Sequence, residues 1–291
     1  DLIQKLAKKT NLSIKLVRQG RRKGFNSAII EGFPETTGDI ICITGAETEY
    51  DPNALIAMVQ HFADPRIGAV TGKQVIKNVD DGFSPKLEVA YRGLYDIVRE
   101  AESHIDSPFD IKGEICATRR DIVKKLVEKP ELLHKGCIDA CFSFQARKDG
   151  YKTVYEPNAE YFELSPRSIR DSFKQQIRRA ATLIQNMMAF RDMILNKKYG
   201  AFGLFIMPAH FLMLIILPFV FLAGVIGMFL VIALNPSNYF LLVIMCIALI
   251  VTLLSSRLQA FLKTQIVLAI ATLSLLGIDT QKFERLTSTR P

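Results

Sequence analysis

The pattern of apolar and polar positions changes character near residue 200. Before it, short apolar runs alternate with amphipathic stretches. After it, apolar residues run on almost without interruption. In the front part, residues 1–10 fit an amphipathic helix with Leu2, Leu6 and Ile3 inward. Residues 13–17 alternate as a strand does, and a basic, glycine-containing loop (residues 18–24) leads into a helix over 25–33 that Gly32 and Pro34 end. Residues 40–44 are a continuous β-branched run, the pattern of a strand buried on both faces of a parallel sheet. Together these predict a βαβ unit.

The alternation continues. A helix over 52–62 presents Leu55, Met58, Val59 and Phe62 on one face, and residues 67–72 form a strand. A long amphipathic helix covers 85–101, a strand leaves a loop around Gly113, and Asp121 caps a helix that stops before Pro130. A helix over 139–148, a strand over 152–155 and a long helical pattern over 168–195 complete the front part. The expected fold class is α/β, a mostly parallel sheet with helices on both faces.

Residues 201–234 carry no charge over 34 positions. About 20 residues cross a bilayer, so one span with an extra turn or two at the surface fits, and Pro208 marks the bend. A polar turn over 235–238 and a second span over 239–256 follow. Residues 259–278 form a third apolar helix, interrupted by Lys263 and Gln265, with crossing and re-entrant or interfacial placements both open. Lys197, Lys198 and Arg257 flank the first two spans while the turn has no Lys or Arg, which places the front domain in the cytoplasm. The basic tail also prefers that side, which favours a third helix that does not cross. The expected organisation is a catalytic-type domain over 1–165, an interfacial helical region over 166–200, membrane helices over 201–278 and a cytoplasmic tail over 279–291.

Five of the 37 Lys+Arg and two of the 29 Asp+Glu lie after residue 200, so most of the formal charge of +8 belongs to the front part. That excess suits anionic lipid head groups or a phosphorylated substrate, and it is too diffuse for nucleic acid. The five cysteines show no framework; Cys42 and Cys246 read as small core or lipid-facing residues, and Cys137 and Cys141 lack a zinc-like partner set. No histidine falls in a metal spacing.

Candidate chemistry falls in four patches. Gly20, Arg21 and Asn26 precede or open a helix, where basic side chains and loop amides suit phosphate. Gly45, Ala46 and Glu47 put a carboxylate at a strand end, where α/β sheets bind ligands. Asp139 lies eleven residues before Gly150 and Tyr151, and reads equally well as a helix cap or as a base. Gln175, Arg178 and Arg179 share a helical spacing just before the membrane segments; they suit either a diphosphate or a basic face on lipid.

This order resembles membrane-bound family 2 glycosyltransferases of the GT-A fold, the cellulose-synthase-like group, over nearly the whole chain. The resemblance implies a transferase that moves a sugar from a nucleotide-sugar donor to a membrane-associated lipid or glycan acceptor with inversion. It matches Arg21 and Asn26 to a Gly-Lys loop with a downstream Asn, and Gly45-Ala46-Glu47 to an Asp-Ala-Asp metal motif. It matches Asp139 to the base of a Glu-Asp pair, and Gln175, Arg178 and Arg179 to a Gln-x-x-Arg-Trp motif. Residues 283–290 match a closing aromatic and arginine segment. The implied roles are Asp139 as base, Glu47 as ligand of Mg2+ or Mn2+, and Arg21, Asn26, Gln175, Arg178 and Arg179 for the donor; Glu114, at a strand end after Gly113, is an acceptor-side candidate. The family's two opening βα units have no counterpart here, so an N-terminal portion is expected to precede Asp1. Gly45 and Arg179 depart from the family's carboxylate and tryptophan, which makes a non-catalytic binding or assembly subunit the rival. A transporter is disfavoured by few spans and no buried ionisable pair among them.

Overall fold

The computed structural model describes residues 2–10, 13–21, 23–129, 132, 138–235 and 239–277. Arg22, His134, Cys137, most of the turn over 235–238 and the tail from 278 on lie outside the described residues. Helices α1 (Leu2–Thr10) and α2 (Phe25–Gly32) come first, then β1 (Ile40–Thr44), β2 (Glu49–Tyr50), α3 (Ala54–Val59), β3 (Ile67–Ile76) and α4 (Phe83–Ile105). They are followed by β4 (Ile115–Arg119), α5 (Arg120–Val127), α6 (Ile138–Lys148), β5 (Lys152–Glu163) and α7 (Ile169–Ala189). Three apolar helices end the described chain: α8 (Phe202–Leu234), α9 (Tyr239–Leu254) and α10 (Ser256–Thr272).

The sheet order is β1-β4-β3-β5-β2. β1, β3 and β5 run one way, but β4 inserts between β1 and β3 in the opposite sense and β2 caps the far edge antiparallel. The sheet is therefore mixed, not mostly parallel: among the described strands only the β3–β5 pairing is parallel. Apolar runs report burial and not direction, so the reversal of β4 leaves no trace in hydropathy. The same limit applies to β1. It is an edge strand on which only Ile43 is buried, and Cys42 is exposed rather than in the core. Residues 13–17 form no strand and are exposed, so the expected βαβ unit is not made.

Helices do cover both faces. Period-2 alternation sends Ala69 and Cys116 to one side and Val70, Ile115 and Ala117 to the other. On the first side, Ile122 and Leu126 of α5 and Phe142 and Phe144 of α6 build the larger core. It extends without a break to Phe190 and to Phe202 at the root of α8. Phe109 meets Phe144 edge-on at 5.1 Å and stacks on His210 of α8 at 3.9 Å. On the second side α3 buries Ala54 and Met58, while Leu55 and Val59 stay exposed, a rotation from the face expected of it. Asp121 sits in the first turn of α5, with Arg119 at the cap position.

Helix α4 is inverted. Leu94, Ile97, Val98 and Ile105 form an exposed stripe, Ile97 at 67% exposure. The opposite face buries Glu88, Arg92, Arg99 and Glu102. Two faces were evident from the periodicity, but not which one turns inward. Its end is tied to α8: Asp106 accepts from the Phe202 backbone at 3.2 Å, and His210 and Glu102 meet at 2.5 Å. His210, like His61 with Glu156 at 2.7 Å, is an ion-pair or hydrogen-bond partner and not incidental.

α8 is helical throughout. Pro208 and Pro218 each follow a wide π turn, at Phe202–Ile206 and Leu212–Ile216. A proline ring crowds the preceding turn and lacks an N–H, and a wide turn accommodates both. Among the described residues, Phe202–Leu234 and Ser256–Leu276 are long and apolar enough to cross a membrane, and Tyr239–Leu254 is shorter. α10 packs along α7 and α4, with Lys263 Nζ donating to Ser172 Oγ at 2.8 Å.

The β3–β5 pairing has a tight point. A Cβ at Gly72 would meet the Ala159 carbonyl oxygen at 2.1 Å, whereas one at Gly93 on α4 would meet nothing within 4 Å. Gly72→Ala should cost about 1–3 kcal/mol or more, and Gly93→Ala should be neutral or stabilise by up to about 1 kcal/mol. Thermal unfolding of the two variants in the same detergent checks this; equal melting temperatures would contradict the β3–β5 register.

Candidate active site

Thr44, the last residue of β1, pairs with Ile115, the first of β4. The turn that carries Glu47 and the segment 112–114 therefore leave the sheet at the same end. Strand β3 holds that segment in place: Thr71 Oγ1 accepts from the Lys112 backbone N–H at 2.8 Å and donates to the Ile115 carbonyl at 3.2 Å. From the other side the Tyr50 hydroxyl donates to the Glu114 carbonyl at 2.9 Å.

Three consecutive residues then reach three different elements. The Gly113 N–H donates to Asp139 Oδ2 at 3.1 Å, so the carboxylate at the start of α6 rests on this segment. Its other oxygen accepts from the Ala140 N–H at 3.0 Å. A Cβ at Gly113 would stand 2.9 Å from Asp139 Oδ2, so this approach requires glycine. Glu114 Oε1 accepts from Arg179 of α7 at 3.1 Å, and Glu163, at the end of β5, lies 3.9 Å from the same guanidinium. Lys112 feels the charges of the buried row of α4 and its surroundings: Arg92, Arg99, Asp110 and Glu114.

Helix α7 is fixed on two sides. Arg179 ties it to the sheet, and Gln176 Nε2 donates to Glu88 Oε2 at 2.6 Å, tying it to α4. Glu88 in turn pairs with Arg92 at 2.7 Å, and Arg99 with Asp110 at 3.1 Å. Ser172, Gln176 and Arg179 share one face of α7, and Gln175 and Arg178 occupy the adjacent one, both half-buried.

The remaining candidates are more dispersed. Glu47 is exposed in its turn. A Cβ at Gly45 would stand 2.8 Å from Thr48 Oγ1, a contact that rotation of the Thr48 side chain relieves. Asn26 is half-buried in the first turn of α2, behind Gly24 at φ 96°. Arg21 is exposed in the preceding loop. Asp139, Glu114 and Arg179 are thus brought together through one segment, while Arg21 and Asn26 are placed on α2 and its approach. Lys112, Gln176 and the ion-paired row on α4 are site features that sequence reasoning missed. Their signal is present: Glu88, Arg92, Arg99 and Glu102 recur at spacings of four, seven and three, one ionic stripe on an amphipathic helix.

Burial and charge act against each other across this cluster. Burial alone would push Glu88 up, but Arg92, Arg179 and the Gln176 bond prevail and hold its carboxyl down at about 2. Burial likewise opposes, and Arg99 and Lys112 outweigh it at Asp110, also at about 2. Glu114 is held below its ordinary value against burial by Arg179, Lys112 and Arg92, whereas burial keeps Glu163 above its own. Lys112 is pushed down to about 7 by burial and by Arg92 and Arg99.

The family description "Glycosyltransferase like family 2" matches residues 1–182, a range that includes every one of these candidate residues. The chain belongs to this family. Among its curated relatives, the poly-beta-1,6-N-acetyl-D-glucosamine synthase of Staphylococcus aureus (strain COL) is 24% identical over 209 residues, 71% of this chain and 49% of that protein. The enzyme of the same name from Staphylococcus epidermidis is 23% identical over 172 residues, 58% of this chain and 41% of that one. The chain thus spans about half the length of the curated relatives it matches. Among solved structures, the mannosyltransferase PcManGT from Pyrobaculum calidifontis, in complex with GDP-Man and Mn2+, superposes with a TM-score of 0.75 over 95% of this chain and 74% of its own, at 20% identity. This family 2 chain has the GT-A-like fold, mixed α/β, with C-terminal helices long enough to span a membrane.

Carboxylates held low in the folded protein contribute stability that is complete above their unfolded values and is lost as pH falls through the folded ones. That window runs from 4.5 down to about 2 for Glu88 and from 3.8 down to about 2 for Asp110. The melting temperature should fall steeply on acidification across it. Glu88→Gln should cost about 3–5 kcal/mol at neutral pH by leaving Arg92 unpaired, and should flatten the acid slope; an unchanged slope would mean the pair is not formed.

Proposed function

We propose that the chain is the catalytic and membrane-anchoring part of an inverting glycosyltransferase, taking a sugar from a nucleotide-sugar donor to a membrane-associated acceptor. The observation that carries this reading is the Asp139–Gly113 contact beside the Glu114–Arg179 pair. It sets a carboxylate oriented by backbone N–H groups, one at each oxygen, next to an arginine held by a second carboxylate. The oriented carboxylate is equipped to take a proton, and the arginine to meet departing negative charge.

Transfer then proceeds in one displacement. The acceptor hydroxyl gives its proton to the Asp139 carboxylate as its oxygen bonds to the anomeric carbon. The bond from that carbon to the diphosphate breaks, and the nucleoside diphosphate leaves with the electron pair. One base and in-line attack invert the anomeric centre. Arg178, Arg179 and Gln175 serve the leaving group, with Arg21 and Asn26 on the donor side. Glu114 acts as a positioning residue, since its carboxylate is committed to Arg179. Positioned groups of this type act where charge develops.

Among the described residues no group of three or more His, Cys, Asp or Glu side chains is arranged to hold a metal. Glu47 offers one exposed carboxylate, and Gly45 carries no side chain to supply a second. That donor set fits a hard cation held by one carboxylate and the donor's own phosphates, the usual habit of Mg2+ and of Mn2+ with oxygen ligands. Such an ion would neutralise the leaving diphosphate. PcManGT, with GDP-Man and Mn2+ bound, supports a nucleotide sugar and a divalent ion as the pairing to test first.

The membrane reading rests on α8 and on the exposed apolar stripe of α4, whose end is joined to the root of α8. We place α8 and α9 across the bilayer and α10 along its inner face, against α4 and α7. The domain lies on the cytoplasmic side, consistent with Lys197 and Lys198 at the entry to α8.

Purified protein in nanodiscs, with Mn2+ or Mg2+, should transfer or hydrolyse sugar from UDP- or GDP-sugars. Asp139→Asn should lower transfer by about 10²–10⁴-fold while donor affinity, measured by calorimetry, stays within about twofold of the wild type. Retained transfer removes Asp139 from the chemistry. Wild-type donor binding without any turnover would instead identify a non-catalytic subunit.

A further inference from the structure

The backbone ladder between β3 and β4 ends at the pair Thr71–Cys116, although β3 itself runs on to Ile76 against β5. Beyond that pair the chain entering β4 is a tight turn. The Ile115 N–H donates to the Lys112 carbonyl at 3.2 Å, with Gly113 and Glu114 at the two central positions. On the β3 side the Thr71 hydroxyl takes over where the ladder stops. It accepts from the Lys112 N–H at 2.8 Å and donates to the Ile115 carbonyl at 3.2 Å, so one oxygen binds both ends of the turn. Thr71 is fully buried, and its β-branched side chain has little rotamer freedom. Valine has nearly the same shape without the hydroxyl, and serine keeps the hydroxyl.

Both central residues of the turn point their chemistry at the site. The Gly113 N–H donates to Asp139 Oδ2 at 3.1 Å, and the Glu114 carboxylate holds Arg179 at 3.1 Å. The Tyr50 hydroxyl adds one further bond, to the Glu114 carbonyl at 2.9 Å. A shift of the turn therefore displaces the proposed base and the proposed leaving-group arginine together. We propose that Thr71 is a positioning residue for sugar transfer: its hydroxyl sets the turn, and through the turn it sets Asp139 and Arg179. This rests on the transferase reading above. Thr71 takes no part in bond making, and the displacement is the one already written. A hydroxyl that only satisfies buried backbone groups would behave differently, and the fold supplies the comparison. Thr118 is equally buried, three residues past Ile115 on β4, and its Oγ1 donates to the Gly68 carbonyl at 3.2 Å.

The test compares Thr71→Val, Thr71→Ser and Thr118→Val in the full chain in nanodiscs, read in steady-state transfer or hydrolysis of a UDP- or GDP-sugar. Thr71→Val should lower kcat about 10- to 100-fold, since misplacing a reacting group by about 1 Å costs on the order of 100-fold. Its KM for the donor should stay within about twofold of the wild type, so that kcat and kcat/KM fall together, the sign of an interaction made only in the transition state. Thr71→Ser should recover most of the rate. Thr118→Val should lose a similar amount of melting temperature and keep the wild-type kcat. In the Asp139→Asn background, Thr71→Val should cost much less than it does alone, because the group it positions is already gone. Thr71→Cys keeps a weaker hydrogen-bonding group and should fall between Val and Ser; it carries the test if Thr71→Val does not fold. A wild-type kcat in Thr71→Val or Thr71→Cys, equal kcat losses in Thr71→Val and Thr118→Val, no recovery in Thr71→Ser, or full additivity with Asp139→Asn would overturn the proposal and leave the transferase reading standing. A wild type that binds the donor without turnover, or binds no nucleotide sugar, would remove the transferase reading and the proposal with it.

Discussion

The Arg179–Glu114 ion pair is the joint on which the site depends. At 3.1 Å and partly buried, it connects α7 with the segment that enters β4. One residue back, the Gly113 N–H sets the Asp139 carboxylate. Movement of α7 relative to the sheet would therefore be felt at Asp139. Gln176 and Glu88 make the same helix report to α4, and Lys263 makes it report to α10. A cluster of this kind has little net worth as a source of stability, since desolvation offsets most of the attraction. Its use is to fix positions: each charge has one place where its partner is satisfied.

The inverted α4 belongs to the same arrangement. A helix that buries Glu88, Arg92, Arg99 and Glu102 must find partners for all of them, and α7, α8, segment 106–114 and α4 itself supply those partners. With the ionic face committed to the site, the apolar face turns outward. A contiguous exposed apolar stripe marks an interaction surface, and here it lies on the helix whose end is joined to α8. On the proposed reading, the chemistry and the anchoring use opposite faces of one helix.

Much of this was open to sequence reasoning, and particular residues show where it stopped. Helix and strand existence followed from periodicity at α2, β3, α6 and α7, and Asp139 and Arg179 stood out by their place in the order of motifs. Strand direction was not available, because β4 reads the same either way, and its antiparallel insertion makes the sheet mixed. The face of α4 was not available either, since amphipathicity is symmetric with respect to inside and outside when the partners are unknown. Lys112 was invisible for a third reason: one lysine in a loop is ordinary until the fold buries it among the charges of Arg92, Arg99, Asp110 and Glu114. Glu47 was equally readable as a surface residue or a ligand, and its exposed turn admits the second only with the donor's phosphates completing the set.

The most direct measurement is a double-mutant cycle between Glu114→Gln and Arg179→Met, read in kcat/KM for sugar transfer or donor hydrolysis. If the pair positions the arginine for the leaving diphosphate, removing either side spoils the same interaction, and the combined variant should be no worse than the poorer single one. The coupling should exceed about 1 kcal/mol. Independent losses that simply add would mean that the two side chains do not act through each other, and the ion pair would not be what holds the site together.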